Sequence, residues 1–324
     1  MMTLEEAQEL VSNEFKKLTF NFQPVELYEP IRYVLSQGGK RIRPSLVLLA
    51  TNLYSSDVSK AIKPAIGLEI FHNFTLLHDD IMDNALVRRG NPAVHIKWNN
   101  NVGILSGDAM SIKAYQYICS CDNDLLPSVL ELFNQTALEV CEGQQYDMNF
   151  ELLPDVTEAQ YLHMIKLKTS VLLACSLKMG ALLGRAPQGE ADILYQFGLN
   201  LGLAFQLQDD LLDTFGDEAT FGKEIGKDII SNKKTYLLIK ALEIANGDSL
   251  NQLRYWISSE NFDSAEKVKA VKEIFNAHHI KTLVNTKIDS YFELADQYLQ
   301  KLNIETEKKH ALKLFAESLH HRKK

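Results

Sequence analysis

The chain has 324 residues, enough for a substantial buried core, with 34 Lys+Arg against 42 Asp+Glu and a formal net charge of −8. Its 16 glycines and 8 prolines fall well below the roughly 12 % of average usage, which excludes a turn-rich sandwich or barrel and collagen-like or disordered sequence. The acid excess excludes a generic nucleic-acid binder, which carries a basic surplus; at face value it also argues against anionic small-molecule substrates.

In chain order, the first ten residues, Met1 to Leu10, are acidic and amphipathic. They lack the basic and apolar regions of a signal peptide. Lys40, Arg41 and Arg43 follow a glycine pair in Gly38-Gly-Lys-Arg-Ile-Arg-Pro44. Ile66, Ile70, Phe74, Leu77 and Ile81 recur at steps of three and four, one face of a helix. Leu199, Leu203, Leu207 and Leu211 do the same. The most apolar stretch, Val171 to Leu183, is interrupted by Lys178 and is too short to span a bilayer, so no transmembrane segment is expected. Cys119, Cys121, Cys141 and Cys175 read as reduced core residues. Prolines mostly punctuate helical windows, and none follows Pro187. The most loop-like segments are Gln37 to Pro44 and Phe215 to Lys234. With no strand-like alternation, no dinucleotide or Walker motif and no repeat, the expectation is all-α, a single domain over residues 1–324.

Two segments carry the chemistry. Phe71-His-Asn-Phe-Thr-Leu-Leu-His-Asp-Asp-Ile-Met-Asp83 contains D-D-x-x-D. At about 100° per residue, Asp79 and Asp83 stand on one face with Asp80 beside them. The helix is apolar nearly all round, so these carboxylates need a compensating cation. Phe205-Gln-Leu-Gln-Asp-Asp-Leu-Leu-Asp213 repeats the pattern, with Asp209 and Asp213 sharing a face. A lone copy is commonly a solvated acidic face. Two copies facing each other offer hard oxygen ligands that Mg²⁺ takes together with substrate phosphates.

Basic clusters accompany them. Arg88-Arg-Gly90 follows the first motif, and Lys223, Lys227, Lys233 and Lys234 follow the second, interleaved with Gly222 and Gly226. Arginine suits bidentate phosphate contact and lysine a mobile point charge. His72 lies seven residues before Asp79 and Gln206 three before Asp209, which puts both on the metal-facing sides. His78 has no such support and reads as structural, and the tail from His320 reads as a solvated charged end.

Taken in order, Gly38-Gly-Lys-Arg-Ile-Arg-Pro, Asp79-Asp-Ile-Met-Asp, Arg88-Arg-Gly, Gly143-Gln-Gln-Tyr-Asp147, Lys168-Thr169, Phe205-Gln through Asp213, and Gly222-Lys through Thr235 resemble the trans-isoprenyl diphosphate synthases of the polyprenyl synthetase family, of the short-chain geranylgeranyl and farnesyl type. The resemblance runs from about Gly38 to Thr235. It implies a bundle of about a dozen helices around a deep central cavity, the isoprenoid synthase fold, in a homodimer; the missing signal peptide and the reduced cysteines give the expectation of a cytoplasmic location. It implies Mg²⁺, three ions per site, on Asp79, Asp83 and Asp209 with Asp80 and Asp213 in or beside the ligand set. Lys40, Arg43, His72 and Arg89 match positions that hold isopentenyl diphosphate. Arg88, Lys168, Lys223 and Lys233 match the clamp on the allylic diphosphate. Thr169 and Gln206 match groups near the developing cation.

The implied reaction is 1′-4 condensation of isopentenyl diphosphate with C5, C10 or C15 allylic diphosphates by ionisation, condensation and elimination. Charge growing on the departing diphosphate is neutralised by the Lys/Arg clamp together with the metal. The resemblance also places product-length control below the first motif. Thr75 stands one turn below Asp79 and Phe71 a further turn down. Phe74 lies about 140° around the helix, so its role comes from the resemblance alone. An aromatic at Phe74 with the smaller Thr75 favours geranylgeranyl diphosphate (C20), with farnesyl diphosphate (C15) the alternative. A non-catalytic synthase subunit would lack an aspartate motif, and both are intact. Six motif aspartates contribute −6, so the acidic chain is compatible with anionic substrates once metal is bound.

Overall fold

Helix follows helix from Leu4 to His320 in the computed structural model, which describes residues 1–216 and 226–321. In order these are α1 (Leu4–Lys16), α2 (Val25–Ser36), α3 (Ile42–Asn52), α4 (Ser59–Met82), α5 (Val94–Lys97), α6 (Asn100–Ile118), α7 (Leu126–Leu152) and α8 (Glu158–Ile165). A five-residue π turn, Lys166–Ser170, leads into α9 (Val171–Leu183) and α10 (Gln188–Phe215). Then come α11 (Lys227–Ile230), α12 (Tyr236–Ile244), α13 (Gly247–Ser258), α14 (Ser264–Ala277), α15 (Ile280–Lys301) and α16 (Thr306–His320). Among the described residues the extended structure is one hairpin, β1 (Val87–Arg88) against β2 (Asn91–Pro92). The all-α expectation is met, and among the described residues no helix is long and apolar enough to cross a membrane.

Local chemistry explains the boundaries. Thr3 and Glu6 cap α1 reciprocally, as Thr157 and Gln160 cap α8, satisfying otherwise orphaned N–H groups. Asn99 accepts from the Val102 amide to start α6. Pro30 and Pro64 lie inside α2 and α4 rather than between helices. Each is the sixth residue of its helix and costs one backbone hydrogen bond, which tertiary packing offsets.

The chain divides into two compact units. Unit 1 comprises Met1–Gln135, Leu173–Tyr195 and Leu302–Leu312; unit 2 comprises Thr136–Leu172, Gln196–Lys301 and Lys313–Lys324. In unit 1, α4 packs most extensively against α6, and α3 is buried continuously from Pro44 to Thr51. Unit 2 buries Tyr161, Phe197, Lys267 and Phe275. The cysteines split: Cys121 and Cys175 are buried, but Cys119 and Cys141 are exposed. Cys141 and Cys175 lie on α7 and α9, whereas Cys119 and Cys121 lie in the turn after α6, so helix periodicity did not decide all four.

Within unit 1, α9 crosses α3 at Gly180. A Cβ there would lie 2.2 Å from the Val47 carbonyl oxygen, and the Thr51 hydroxyl bridges Val47 O and Gly180 O at 2.9 and 3.0 Å. The neighbour is backbone and cannot swing away. Gly180→Ala is expected to lower stability by about 1–3 kcal/mol, the usual cost of overpacking. A drop in the thermal unfolding midpoint checks this.

Candidate active site

Unit 1 builds a cationic pocket on a buried acid. The loop before α3 turns through three left-handed residues, Gly38 (φ 77), Gly39 (φ 130) and Arg41 (φ 49). Glycine takes such φ values without a Cβ clash, but an arginine must be held there. Arg41 is held by an ion pair with Glu69 (2.8 Å), by the Leu35 carbonyl (2.8 Å), and by the Phe15 ring beneath its guanidinium (4.2 Å). Glu69 is 2 % exposed and also accepts from the Asn73 amide at 3.3 Å. Asn73 in turn accepts from Arg89 at 3.2 Å, and the same Arg89 nitrogen donates to Gly38 O at 2.6 Å. One carboxylate thus ties the glycine loop, α4 and the hairpin turn together.

Arg43 and His72 meet at 3.2 Å. Burial, then Arg43 and Arg89, drive the His72 pKa well below its ordinary value, so the imidazole is neutral at pH 7. The neutral ring adds no positive charge to the arginines around it. Lys40 shares the loop with its side chain exposed. Of the predicted isopentenyl set, the structure brings Arg43, His72 and Arg89 together beside Lys40.

The hairpin turns at Arg89 (φ 51) and Gly90 (φ 76), the positive pair that a two-residue hairpin requires. This returns Arg88 to the end of α4, where it donates to Asp80 through Nε (2.8 Å) and Nη2 and reaches Asp79 at 3.5 Å. Burial raises the Asp80 pKa, and Arg88 opposes that rise. Asp83 closes α4 as its C-cap residue. Below this end, Phe71 packs on Phe74 and Phe133 at 5.4 and 5.0 Å, and Phe74 on His78 at 4.8 Å. The Thr75 hydroxyl donates to His72 O.

Unit 2 carries the second set. Lys168 and Thr169 sit on the π turn, a feature the helical periodicity did not foretell. Two glycines make room for it: a Cβ at Gly143 on α7 would lie 2.3 Å from Lys168 N, and one at Gly202 on α10 would lie 2.5 Å from Ser170 Cα. The close approach on both sides accommodates the wider π turn, which carries both side chains. Lys168 pairs with Asp147 at 2.7 Å. The Thr169 hydroxyl donates to Gln206 Oε1 (2.9 Å), and Gln206 Nε2 donates to Asp210 (3.0 Å). Tyr161, fully buried, donates to the other oxygen of Asp210. Asp213 accepts the Gly226 amide on its carbonyl (2.7 Å) and the Asp228 amide on Oδ2 (3.0 Å), which anchors the loop carrying Lys233. Asp209 lies on α10 one turn before Asp213. Lys223 lies outside the described residues.

Burial raises Asp210 to about 7 and Asp228 to about 6, against the pull of Lys233. Asp147 is also buried, yet Lys233 and Lys168 hold it below its ordinary value. Sequence reasoning left Glu69, Asn73, Tyr161 and Asp228 without roles, and took Asp147 and Asp210 only as members of their motifs. A signal existed for Glu69 and Asn73, two polar residues four apart in an otherwise apolar run. For Tyr161 there was none.

Among the described residues, no three His, Cys, Asp or Glu side chains converge into a ready cage for a metal ion. Arg88 pairs with Asp79 and Asp80 of α4. The donors are all carboxylate oxygens in pairs one turn apart, which suits a hard divalent ion that keeps several waters and completes its shell with phosphate oxygens. The residues therefore fit Mg²⁺ bound together with a diphosphate.

A family model described as "Polyprenyl synthetase" matches residues 24–275. The chain belongs to the polyprenyl synthetase family. It is 42 % identical over 223 residues to a geranylgeranyl diphosphate synthase of Methanosarcina mazei, covering 68 % of this chain and 69 % of that protein. It is 34 % identical over 318 residues to a short chain isoprenyl diphosphate synthase of Methanothermobacter thermautotrophicus, covering 98 % and 97 %. A crystal structure of a geranylgeranyl pyrophosphate synthase superposes with a TM-score of 0.95 at 45 % identity over the full length of both chains. This polyprenyl synthetase is accordingly a prenyltransferase.

The raised carboxyls have a consequence for stability. With folded pKa values of about 7 and 6, Asp210 and Asp228 bind more protons folded than unfolded between about pH 4 and pH 7. Their contribution is present below that window and is lost as pH rises through it. In the absence of divalent metal, the thermal midpoint should fall more steeply from pH 5 to pH 8 in the wild type than in Asp210→Asn.

Proposed function

We propose that this polyprenyl synthetase is a Mg²⁺-dependent geranylgeranyl diphosphate synthase, elongating C5, C10 and C15 allylic diphosphates with isopentenyl diphosphate in a single domain over residues 1–324. The family match running through both units supports the single domain. The observation that carries the reading is the pairing of two aspartate-rich helix ends with separate cationic sets. In unit 1 that set is Arg43 and Arg89 gathered about the neutral His72. The Lys168 and Lys233 set in unit 2 stands among the second group of carboxylates.

In this reading Lys40, Arg43, His72 and Arg89 bind isopentenyl diphosphate, His72 as a neutral acceptor that orients Arg43. Arg88, Lys168 and Lys233, with Lys223, hold the allylic diphosphate. Asp79, Asp80 and Asp83 in unit 1 and Asp209 and Asp213 in unit 2 would hold Mg²⁺, three ions in all, which would neutralise charge on that diphosphate. The C1′–O bond breaks with its electron pair on the leaving diphosphate, and Lys168 and Lys233 meet the charge as it grows. Thr169 Oγ1 and Gln206 Oε1 present oxygen to the allylic cation. The alkene of isopentenyl diphosphate forms the new 1′-4 bond, and the released diphosphate takes the departing proton. No side-chain base is required.

Phe71 and Phe74, stacked below the first motif, limit the growing tail, and Thr75 leaves it deeper than a second aromatic would. Geranylgeranyl-forming relatives support C20; C15 remains the second reading because Phe74 is aromatic. Leu105 and Ile112, seven apart on α6 and both about 60 % exposed, support a homodimer, and a cytoplasmic location follows the same reading.

Incubating the purified protein with Mg²⁺, isopentenyl diphosphate and each primer should yield mainly C20 product. Failure to elongate any primer overturns the reading. Asp79→Ala and Asp209→Ala should each lower Mg²⁺-dependent turnover by orders of magnitude, and near-full activity in either removes the metal assignment. Phe74→Ala should shift the products to longer chains, and an unchanged distribution rejects its role in length control.

A further inference from the structure

Lys267, on α14, is among the most completely buried side chains of unit 2, at 1 % exposure. An ammonium group is taken out of water only where acceptors replace the hydration it loses. Here they are the Ile230 carbonyl at the end of α11 (3.1 Å) and Asn232 Oδ1 (2.8 Å), with the Phe262 ring 4.1 Å away. Among the described residues, its hydrogen-bonding partners include no carboxylate. Both acceptors belong to the turn leading into Lys233.

That turn is not self-sufficient. Asn232 has φ 56, a left-handed conformation that a side-chain hydrogen bond helps to hold. Its amide nitrogen donates to Ile257 O at 3.0 Å while its oxygen receives Lys267. The next residue, Lys233, donates its backbone amide to Asp228 O (2.9 Å). Its charge acts on Asp147, Asp210 and Asp228. A small cavity is lined by Lys267, Asn232, Lys233, Thr214 and Asp228 together, so the prop and the propped residue adjoin.

We propose that Lys267 is a positioning residue for Lys233: its buried ammonium fixes the left-handed turn at Asn232 and thereby sets the reach of the Lys233 side chain toward the allylic diphosphate. The last step rests on the proposed role of Lys233 as a diphosphate clamp. The positioning itself does not.

Two measurements separate them. Hydrogen exchange on the full chain should show the amides of residues 231–235 exchanging at least tenfold faster in Lys267→Met, with those of α10 unchanged; unchanged exchange at 231–235 overturns the proposal. In steady-state kinetics with farnesyl diphosphate and isopentenyl diphosphate, Lys267→Met should raise the allylic KM about tenfold and leave the isopentenyl KM within twofold. Lys267→Arg should restore part of the loss. In a Lys233→Ala background, Lys267→Met should add little, since coupled residues are non-additive. An equal rise in both KM values, or full additivity, overturns the proposal. If Lys233→Ala itself leaves the allylic KM unaltered while exchange at 231–235 still rises in Lys267→Met, the clamp role fails and the positioning stands. Should Lys267→Met not fold, Asn232→Gly keeps the left-handed backbone and removes the oxygen that Lys267 holds; it should reproduce the allylic KM rise, and a wild-type KM there overturns the proposal.

Discussion

Carboxylates crowded at the end of a buried helix repel one another and cannot be left uncompensated. The rest of the structure answers that constraint. In unit 1 the compensation is Arg88, brought back by a two-residue hairpin whose turn residues accept positive φ. In unit 2 it is Lys168 on a π turn and Lys233 on a left-handed turn, with Tyr161 and Gln206 donating to Asp210. Each device is irregular backbone held by a regular helix. Such irregularity persists only where neighbouring contacts determine it.

A second layer holds the first. Glu69 sits below the cationic pocket of unit 1 and fixes Arg41 directly and Arg89 through Asn73. Losing one partner of so buried a pair costs about 3–5 kcal/mol, because the other charge is stranded. Lys267 has the corresponding position in unit 2, where its partners among the described residues are a backbone and an amide oxygen. Both are buried charges that touch loops rather than ligand groups. In each case an exposed or half-exposed cation is placed by a charge of either sign that water does not reach.

Much of the site was legible before any coordinates. The doubled D-D-x-x-D, the glycine-led Lys40 to Arg43 cluster and the Arg88-Arg89 pair are local patterns, and one-turn spacing puts Asp79 over Asp83 and Asp209 over Asp213. The supporting residues were not legible. Asp147 and Lys168 are 21 residues apart, Tyr161 and Asp210 are 49 apart, and Lys267 is 35 from Asn232. Partnerships at such separations leave no periodic trace. The π turn was hidden for a related reason. Lys166–Ser170 reads as ordinary helix, and the room that admits the wider turn comes from Gly143 and Gly202 on other helices.

By itself the sequence determined the helices, the apolar faces that bury them, and the identity and order of the charged clusters, because helix periodicity and one-turn spacing act within a few residues. Tertiary structure alone decided which cation compensates which carboxylate and which carboxyls are pushed toward protonation. Burial and charge separation exist only after distant segments have packed. An acidic chain can therefore hold a cationic pocket: net charge sums over residues, whereas the field at Arg43 or Lys233 depends on which charges the fold brings near and which it buries.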